Sequence, residues 1–538
     1  MLFLFFFSGI CREGFCNNNG VDRPLSKALE AEAADETAGI QELDLQNSSL
    51  VPDVEAAGEE RPSFSFQRAD SKLPLSDNRH SAGSIRSMQD QGPDLDWERI
   101  YFGPLDDTIR FVQQVSDGGY IMVGETYSPS NGGSDIQLIK IDPSGSLLWQ
   151  NNFGGAGNDI GCCVREVPGG YVLVGSTEIP GTGSYDACLI RTDASGNMLW
   201  EKTYGGMADD YGKSVWVNSD GTMLIAGETR SFGNGGSDIY LFKVGASGSQ
   251  FWSKCIGGSN DDWAESVQTI GDGIIIAGGT KTFGAGMSDA FLVKTDTYGN
   301  KLWHKTFGGP ADDLAFDLQQ TREGGFVVAG RTESFGEGGV DAFLVKTDSS
   351  GNRQWEKCFG GEADDWARSV RQTTDGGYLL GGSSCSFGLG DSDFYLVKTG
   401  ASGELLWEKT RGQGENAYGN CAIQTADGGF LLAGETSSAA GVFSDGWLVK
   451  YKAEDVTGDL NGDYAVNVLD LLWMSQWLGP VNCSDSQKAD LNYDGNVNIL
   501  DMQLVYNLIG QGPVPGELLI YEILPGSGPE GTEIEILG

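Results

Sequence analysis

Seven tryptophans, Trp97, Trp149, Trp200, Trp252, Trp303, Trp355 and Trp407, stand 51 or 52 residues apart. A period of that length marks one supersecondary unit copied along the chain, and such a unit cannot bury its apolar face except against its own copies. Between the tryptophans the same phrases return in register. LDDTIRFV starts at Leu105, GNDIGCCV at Gly157, ADDYGKSV at Ala208 and NDDWAESV at Asn260. ADDLAFDL follows at Ala311, ADDWARSV at Ala363 and ENAYGNCA at Glu415. A catalytic acid pair is needed once per site, so seven variants of one phrase point to a loop the architecture requires seven times.

Each unit holds four strand-like runs. In the sixth they are ARSVRQT (367–373), GYLLGGSS (377–384), DFYLVKT (393–399) and LLWEKT (405–410). All are rich in β-branched or aromatic residues, bounded by Gly, Asp and Ser, and free of a 3.6-residue period. DGG (375–377) and TGASG (399–403) read as tight hairpin turns in which glycine supplies positive φ. The SFGxG-type stretches (231–235, 283–286, 334–338, 386–390) join second strands to third. Four antiparallel strands every ~50 residues are the signature of a β-propeller blade. The fold expected is mainly β: a seven-bladed propeller of four-stranded antiparallel blades, with inner strands near residues 109, 161, 212, 264, 315, 367 and 419. One tryptophan strand, DWERIYFG (96–103), precedes the first unit, and the last unit ends at GWLVKYK (446–452) without one. The strand near 97–102 is therefore predicted to complete the seventh blade beside 445–451, leaving no open sheet edge.

The register puts two loop types on one rim of the wheel, around the mouth of its channel. The GGxxDD loops carry Asp106/Asp107, Asp209/Asp210, Asp261/Asp262, Asp312/Asp313 and Asp364/Asp365. The loops before the third strands carry Asp135, Asp186, Asp238, Asp289, Asp341, Asp393 and Asp445. Asp and Gly cap turns by accepting backbone N–H bonds, which favours a structural role for these acids. The alternative is an acidic, aromatic rim that binds cations or stacks on sugar rings. Its candidate ligand residues are Tyr211, Trp263, Trp366 and Tyr418, and its weakly indicated catalytic candidates are Asp262 and Asp365. The repeated tryptophans are expected in the core.

With 35 basic and 76 acidic residues the formal charge is −41, which excludes a phosphate-binding surface and so a nucleic-acid partner. Two histidines leave little for zinc hydrolysis or a Ser-His-Asp triad. The ten cysteines include no CxxC pair. Residues 1–16 begin with an apolar run too short for a membrane span, readable as a truncated signal remnant, and 17–95 read as an acidic linker.

Beyond the propeller (96–452) the texture changes. DLNGDYAVNVLD (459–470) and DLNYDGNVNILD (490–501) place oxygen-bearing residues at loop positions 1, 3, 5, 9 and 12, each followed by an apolar helical run. This is the spacing with which an EF-hand-type loop wraps one hard cation. The ligands would be Asp459, Asn461, Asp463, the Ala465 carbonyl, Asn467 and Asp470 for one Ca²⁺. For a second they would be Asp490, Asn492, Asp494, the Asn496 carbonyl, Asn498 and Asp501.

Three resemblances attach to these phrases. The WEKTFGG-, DGGY- and SDxxLVKTD-type repeats (97–452) resemble propeller-type repeats of large secreted or surface proteins of bacteria and archaea. The duplicated loop–helix (453–512) resembles a type I dockerin, a calcium-folded module that plugs a protein into a cohesin. Loop position 6, usually glycine, is Gly495 in the second loop and Tyr464 in the first; the residues just before position 12 are Val468/Leu469 and Ile499/Leu500, not the hydroxyl pair many dockerins present. PGSGPEGTEIEI, within 513–538, resembles the opening strands of an IPT/TIG domain. Together they imply an extracellular, scaffold-attached interaction protein with a cohesin-like or surface partner and a candidate polysaccharide ligand. The alternatives are a dockerin-bearing glycoside hydrolase or lyase, and a structural spacer.

Overall fold

The computed structural model describes residues 92–454, apart from 102, 129, 131, 413, 415 and 438–442, together with one short backbone pairing further on. Within 95–451 lie seven four-stranded antiparallel sheets and, among the described residues, no helix. Blades 1 to 6 are each contiguous in sequence; their inner strands begin at Asp107, Asp159, Asp210, Asp262, Asp313 and Asp365. The expected strands of the sixth unit appear as Asp365–Gln372, Tyr378–Ser384, Asp393–Thr399 and Leu405–Arg411. The DGG turn between the first two has Gly376 at φ 86°.

Blade 7 is built from both ends of the wheel. Ala417–Gln424, Phe430–Ser437 and Ser444–Tyr451 supply three strands, and Leu95–Tyr101 supplies the fourth. The closing strand pairs antiparallel with Ser444–Tyr451, placing Trp97 opposite Lys450 and Tyr101 opposite Gly446, as the offset tryptophan predicts. Further bonds fasten it to the blades on both sides. Glu98 takes both Nε and Nη2 of Arg411 from blade 6, at 3.1 and 3.0 Å, and Tyr101 donates to the Gly145 carbonyl of blade 1 at 2.8 Å.

The core lies between blades, in seven apolar clusters for seven interfaces. Val172, Val174 and Leu189 of blade 2 pack on Val215, Ile225 and Phe242 of blade 3, for example. At the seam Leu431, Ala433 and Leu448 pack on Ile109, Met122 and Ile139. A closed ring of seven blades has seven interfaces, whereas an open array has six. Fully burying such aliphatic side chains contributes about 1.5–3 kcal/mol each.

The repeated tryptophans depart from expectation. Trp407 is 4% exposed, but the other six are only half-buried. They act as staples on the outer wall, because each outer strand is a blade edge with solvent on one side. Trp149 tilts onto Tyr171 of the next blade (5.9 Å), Trp355 onto Tyr378 (5.8 Å), and Trp97 carries the same contact across the seam to Tyr120 (6.4 Å). The next blade's hairpin glycine meets the same indole. At Gly351, φ 76°, a Cβ would stand 2.7 Å from the Trp303 ring, so backbone and packing both require glycine there.

Candidate functional site

The GGxxDD loops hold adjacent blades together. Their first acid reaches back to the preceding blade. Oδ1 of Asp209, Asp261 and Asp364 accepts the N–H of Tyr185, Ser237 and Val340 at 3.1, 3.0 and 3.1 Å. Asn158 replaces the acid in one loop and accepts the N–H of Ser134 at 3.2 Å; Asp106 accepts that of Ser444 across the seam at 2.8 Å.

The second acid opens the inner strands of blades 1 to 6 and is buried. Asp262 and Asp365, the two candidate catalytic acids, are each 0% exposed. Asp262 accepts the Gly258 N–H at 2.8 Å, the Thr282 hydroxyl at 2.7 Å and the Thr280 hydroxyl. Asp365 accepts the Gly361 N–H at 2.8 Å, the Ser386 hydroxyl at 2.5 Å and the Ser386 N–H at 3.4 Å. A general acid or base must reach a substrate proton. These carboxylates are wrapped by their own loops and organise turns.

A third acid faces the second across each interface. It opens the third strand and accepts loop N–H groups, as Asp238 does from Asn234 at 2.6 Å and Asp393 from Leu389 at 2.7 Å. The first glycine of GG lies between the two carboxylates. A Cβ on Gly205 would stand 2.1 Å from Asp186 Oδ1 and 2.8 Å from Asp210 Oδ2, and one on Gly257 1.9 Å from Asp238 Oδ1 and 2.8 Å from Asp262 Oδ2. Burial first, and the facing carboxylate as well, push Asp186, Asp238 and Asp289 above the usual carboxylate range. Asp341 and Asp445 shift the same way, and burial takes Asp107 up to about 6. Blade 7 opens with Ala417, so Asp393 faces no second acid there.

This arrangement predicts a stability maximum in mildly acidic solution. A carboxyl raised on folding binds its proton more tightly in the native state, so its contribution is present at low pH and is lost as pH rises through its folded value. The opposite holds for Asp193, Asp296 and Asp348 in the outer hairpins. Hydrogen bonds from the side chain and then the backbone N–H of Asn197, Asn300 and Asn352 lower these three. Their contribution is lost as pH falls below the ordinary carboxylate range. The melting temperature of the propeller is expected to be higher at about pH 5 than at pH 8 and to fall again below about pH 4; scanning calorimetry across that range checks it.

The rim aromatics are not an open stacking platform. Tyr211, Trp263 and Trp366 are 7%, 3% and 8% exposed, and Tyr418 is half-buried. Beside them stands a set of glutamates that the repeat phrases alone did not single out. The second strand puts Glu125, Glu228 and Glu435 opposite the residue after the second acid, in register with Thr108, Tyr211 and Tyr418. The recurring phrase GET (124–126, 227–229, 434–436) was the available signal. Glu125 pairs with Arg110 at 2.7 Å and Glu435 accepts the Thr108 hydroxyl at 2.5 Å. Glu228, 6% exposed, is driven up to about 7 by burial, against the opposing pull of Lys213.

The calcium-ligand candidates at 459–501 lie outside the described residues, except for backbone pairing of Asn496 with Pro480 and of Val497 with Gly479. The donor set is entirely carboxylate, amide and carbonyl oxygen, which suits a hard cation such as Ca²⁺. Residues 457–510 match the dockerin type I domain family, whose members bind calcium and cohesins.

Among curated proteins, 360 residues are 22% identical to the regulatory protein FlaEY of Caulobacter vibrioides, covering 54% of this chain and 37% of that relative. The chain thus spans little more than a third of the relative's length. Solved structures with a general likeness include Sqt1 from Chaetomium thermophilum, at 10% identity and TM-score 0.38, covering 68% of this chain and all of that one. The β-propeller domain of the Trilobed protease from Pyrococcus furiosus is 11% identical with TM-score 0.38, covering 67% of this chain and 97% of that one. The chain joins a seven-bladed β-propeller, residues 95–451, to a dockerin type I domain at residues 457–510.

Proposed function

We propose that the protein is an extracellular, non-catalytic interaction protein. The propeller rim presents a binding surface, and the dockerin domain, holding two Ca²⁺ ions, attaches the chain to a cohesin-bearing partner. The observation that carries this reading is the dockerin match at 457–510, in one chain with a propeller whose repeated acids are spent on its own loops. The two ions would sit in the loops 459–470 and 490–501. The apolar pairs Val468/Leu469 and Ile499/Leu500 would favour a cohesin with an apolar contact face.

The test is capture of the full chain on immobilised cohesins, with and without EDTA. Binding is expected in calcium, with loss in chelator and at least tenfold weakening for the double variant Asp459→Ala/Asp490→Ala, because each loop loses its first carboxylate ligand. Capture that ignores chelator contradicts the attachment mechanism. Release of reducing ends from soluble polysaccharides by the unmodified chain contradicts the non-catalytic part.

A further inference from the structure

Every inner strand bulges at the same point, three residues after its first, and the bulged residues include Arg110, Lys213, Glu265, Phe316 and Arg368. A bulge re-aims its side chain out of the ladder. All seven bulged residues are half-buried although the residue before each is buried, so the bulges turn them into the channel. One residue of each second strand reaches this ring, meeting the bulged residue of its own blade and that of the next. Glu125 pairs with Arg110 of its own blade at 2.7 Å. After burial, the charges acting most on Glu228 are Lys213 of its own blade and Glu265 of the next. On Glu435, after burial and the Thr108 hydroxyl, it is Arg110 of the next blade. In blade 5 the residue in this register, opposite Leu314, is Arg331. Its own blade offers Phe316 and the next offers Arg368, whose guanidinium lies 4.8 Å from the Phe316 ring. Of the seven such pairings with the next blade, this one alone sets two cations together. Arg331 Nε is buried without a hydrogen-bond partner among the described residues, and Nη2 stands 4.0 Å from Glu333 Oε1.

We propose that Arg331 and Arg368 form an oxyanion site on the channel wall between blades 5 and 6, which takes the carboxylate group of a ligand entering the channel. Two guanidinium groups set side by side repel, and an anion held between them reverses the sign of that interaction. The planar fork of arginine matches a carboxylate through paired N–H bonds. Counting Glu333, the three side chains carry one net positive charge, which a carboxylate neutralises; a phosphate dianion overshoots it and is repelled by Glu333. Phe316, within reach of both arginines, offers an apolar face to the body of the ligand. Arg331, Phe316 and Arg368 are all half-buried, whereas the strand-head residues Leu314 and Trp366 beside them are 4% and 8% exposed. The inference rests on the reading of the propeller as a binding element and deepens it; cohesin attachment is measured through the other domain.

The experiment is isothermal titration calorimetry of the full chain, at fixed ionic strength and saturating calcium, with propionate, D-galacturonate, D-galactose and phosphate. Both carboxylates are expected to bind, galactose not at all, and phosphate more weakly than either. Galacturonate binding about tenfold tighter than propionate identifies an acidic sugar as the source of the carboxylate; equal affinities identify a simple organic acid. Arg331→Gln and Arg368→Gln should each weaken binding about tenfold or more. Arg368→Lys, which keeps the charge and loses the fork, should weaken it about three- to tenfold. Arg331→Gln also removes one of two like charges, so the melting temperature of the ligand-free chain should hold or rise while affinity falls. No binding of either carboxylate, tighter binding of phosphate, or variants that bind like the parent overturns the proposal. Cohesin capture failing alone would sink the attachment reading and leave this one standing.

Discussion

Removing residues 95–101 is expected to abolish cooperative folding of the wheel. The deletion takes one strand from blade 7, exposes the edge of Ser444–Tyr451 and removes Trp97 and Tyr101, which pack against the seam cluster. An open edge of that length pairs with other chains, so aggregation should accompany the loss. The single substitution Trp97→Ala isolates the staple from the strand. It removes the Trp97–Tyr120 contact and bares the wall around Gly145, where a Cβ would stand 3.0 Å from the indole. A cost of about 3 kcal/mol follows from the range for large aromatic truncations. Chemical denaturation of the full chain, followed by tryptophan emission, reads both effects. A deletion variant that still unfolds in one sharp transition would show that the wheel closes without this strand.

Asp365→Ala is the second large effect. The carboxylate accepts three hydrogen bonds at zero exposure, and its loss leaves the Gly361 N–H and the Ser386 hydroxyl without their acceptor, while the Ser386 N–H keeps Ser384 Oγ at 3.1 Å. Stranding buried donors costs about 1–3 kcal/mol each, and about 3 kcal/mol in total is expected once the loop relaxes. Asp365→Asn keeps an acceptor oxygen and should cost less than half as much. A catalytic role predicts the reverse pattern, with Asn as damaging as Ala to function and neither affecting stability. Urea titration of the two variants separates these outcomes.

The wheel was legible because its evidence is periodic. The tryptophan spacing, the turn glycines and the unpaired leading strand fix blade number, strand order and closure without any knowledge of contacts. Burial was less legible. The outer tryptophans look like core in sequence, yet an outer strand has a neighbour on one side only, and they end up half-buried. The rim aromatics look like a surface platform, yet Tyr211, Trp263 and Trp366 are enclosed by the strands and loops around them. The partnering of the three Glu residues in the GET phrases was invisible, because it depends on cross-strand register and on what the neighbouring inner strand offers: Arg110 for Glu125, Thr108 for Glu435, and the charge of Lys213 for Glu228. Facing carboxylates across each interface escaped notice for the same reason, since Asp186 and Asp210 are 24 residues apart and belong to different blades.

Hydrogen exchange at the closing strand tests the closed wheel most directly. In the full chain, amides in 95–101 should be protected like those of the six other outer strands, such as Leu147–Phe153 and Arg353–Phe359, and should open together with Ser444–Tyr451. Exchange of 95–101 at the rate of an unstructured peptide, with Ser444–Tyr451 still protected, would contradict the closure.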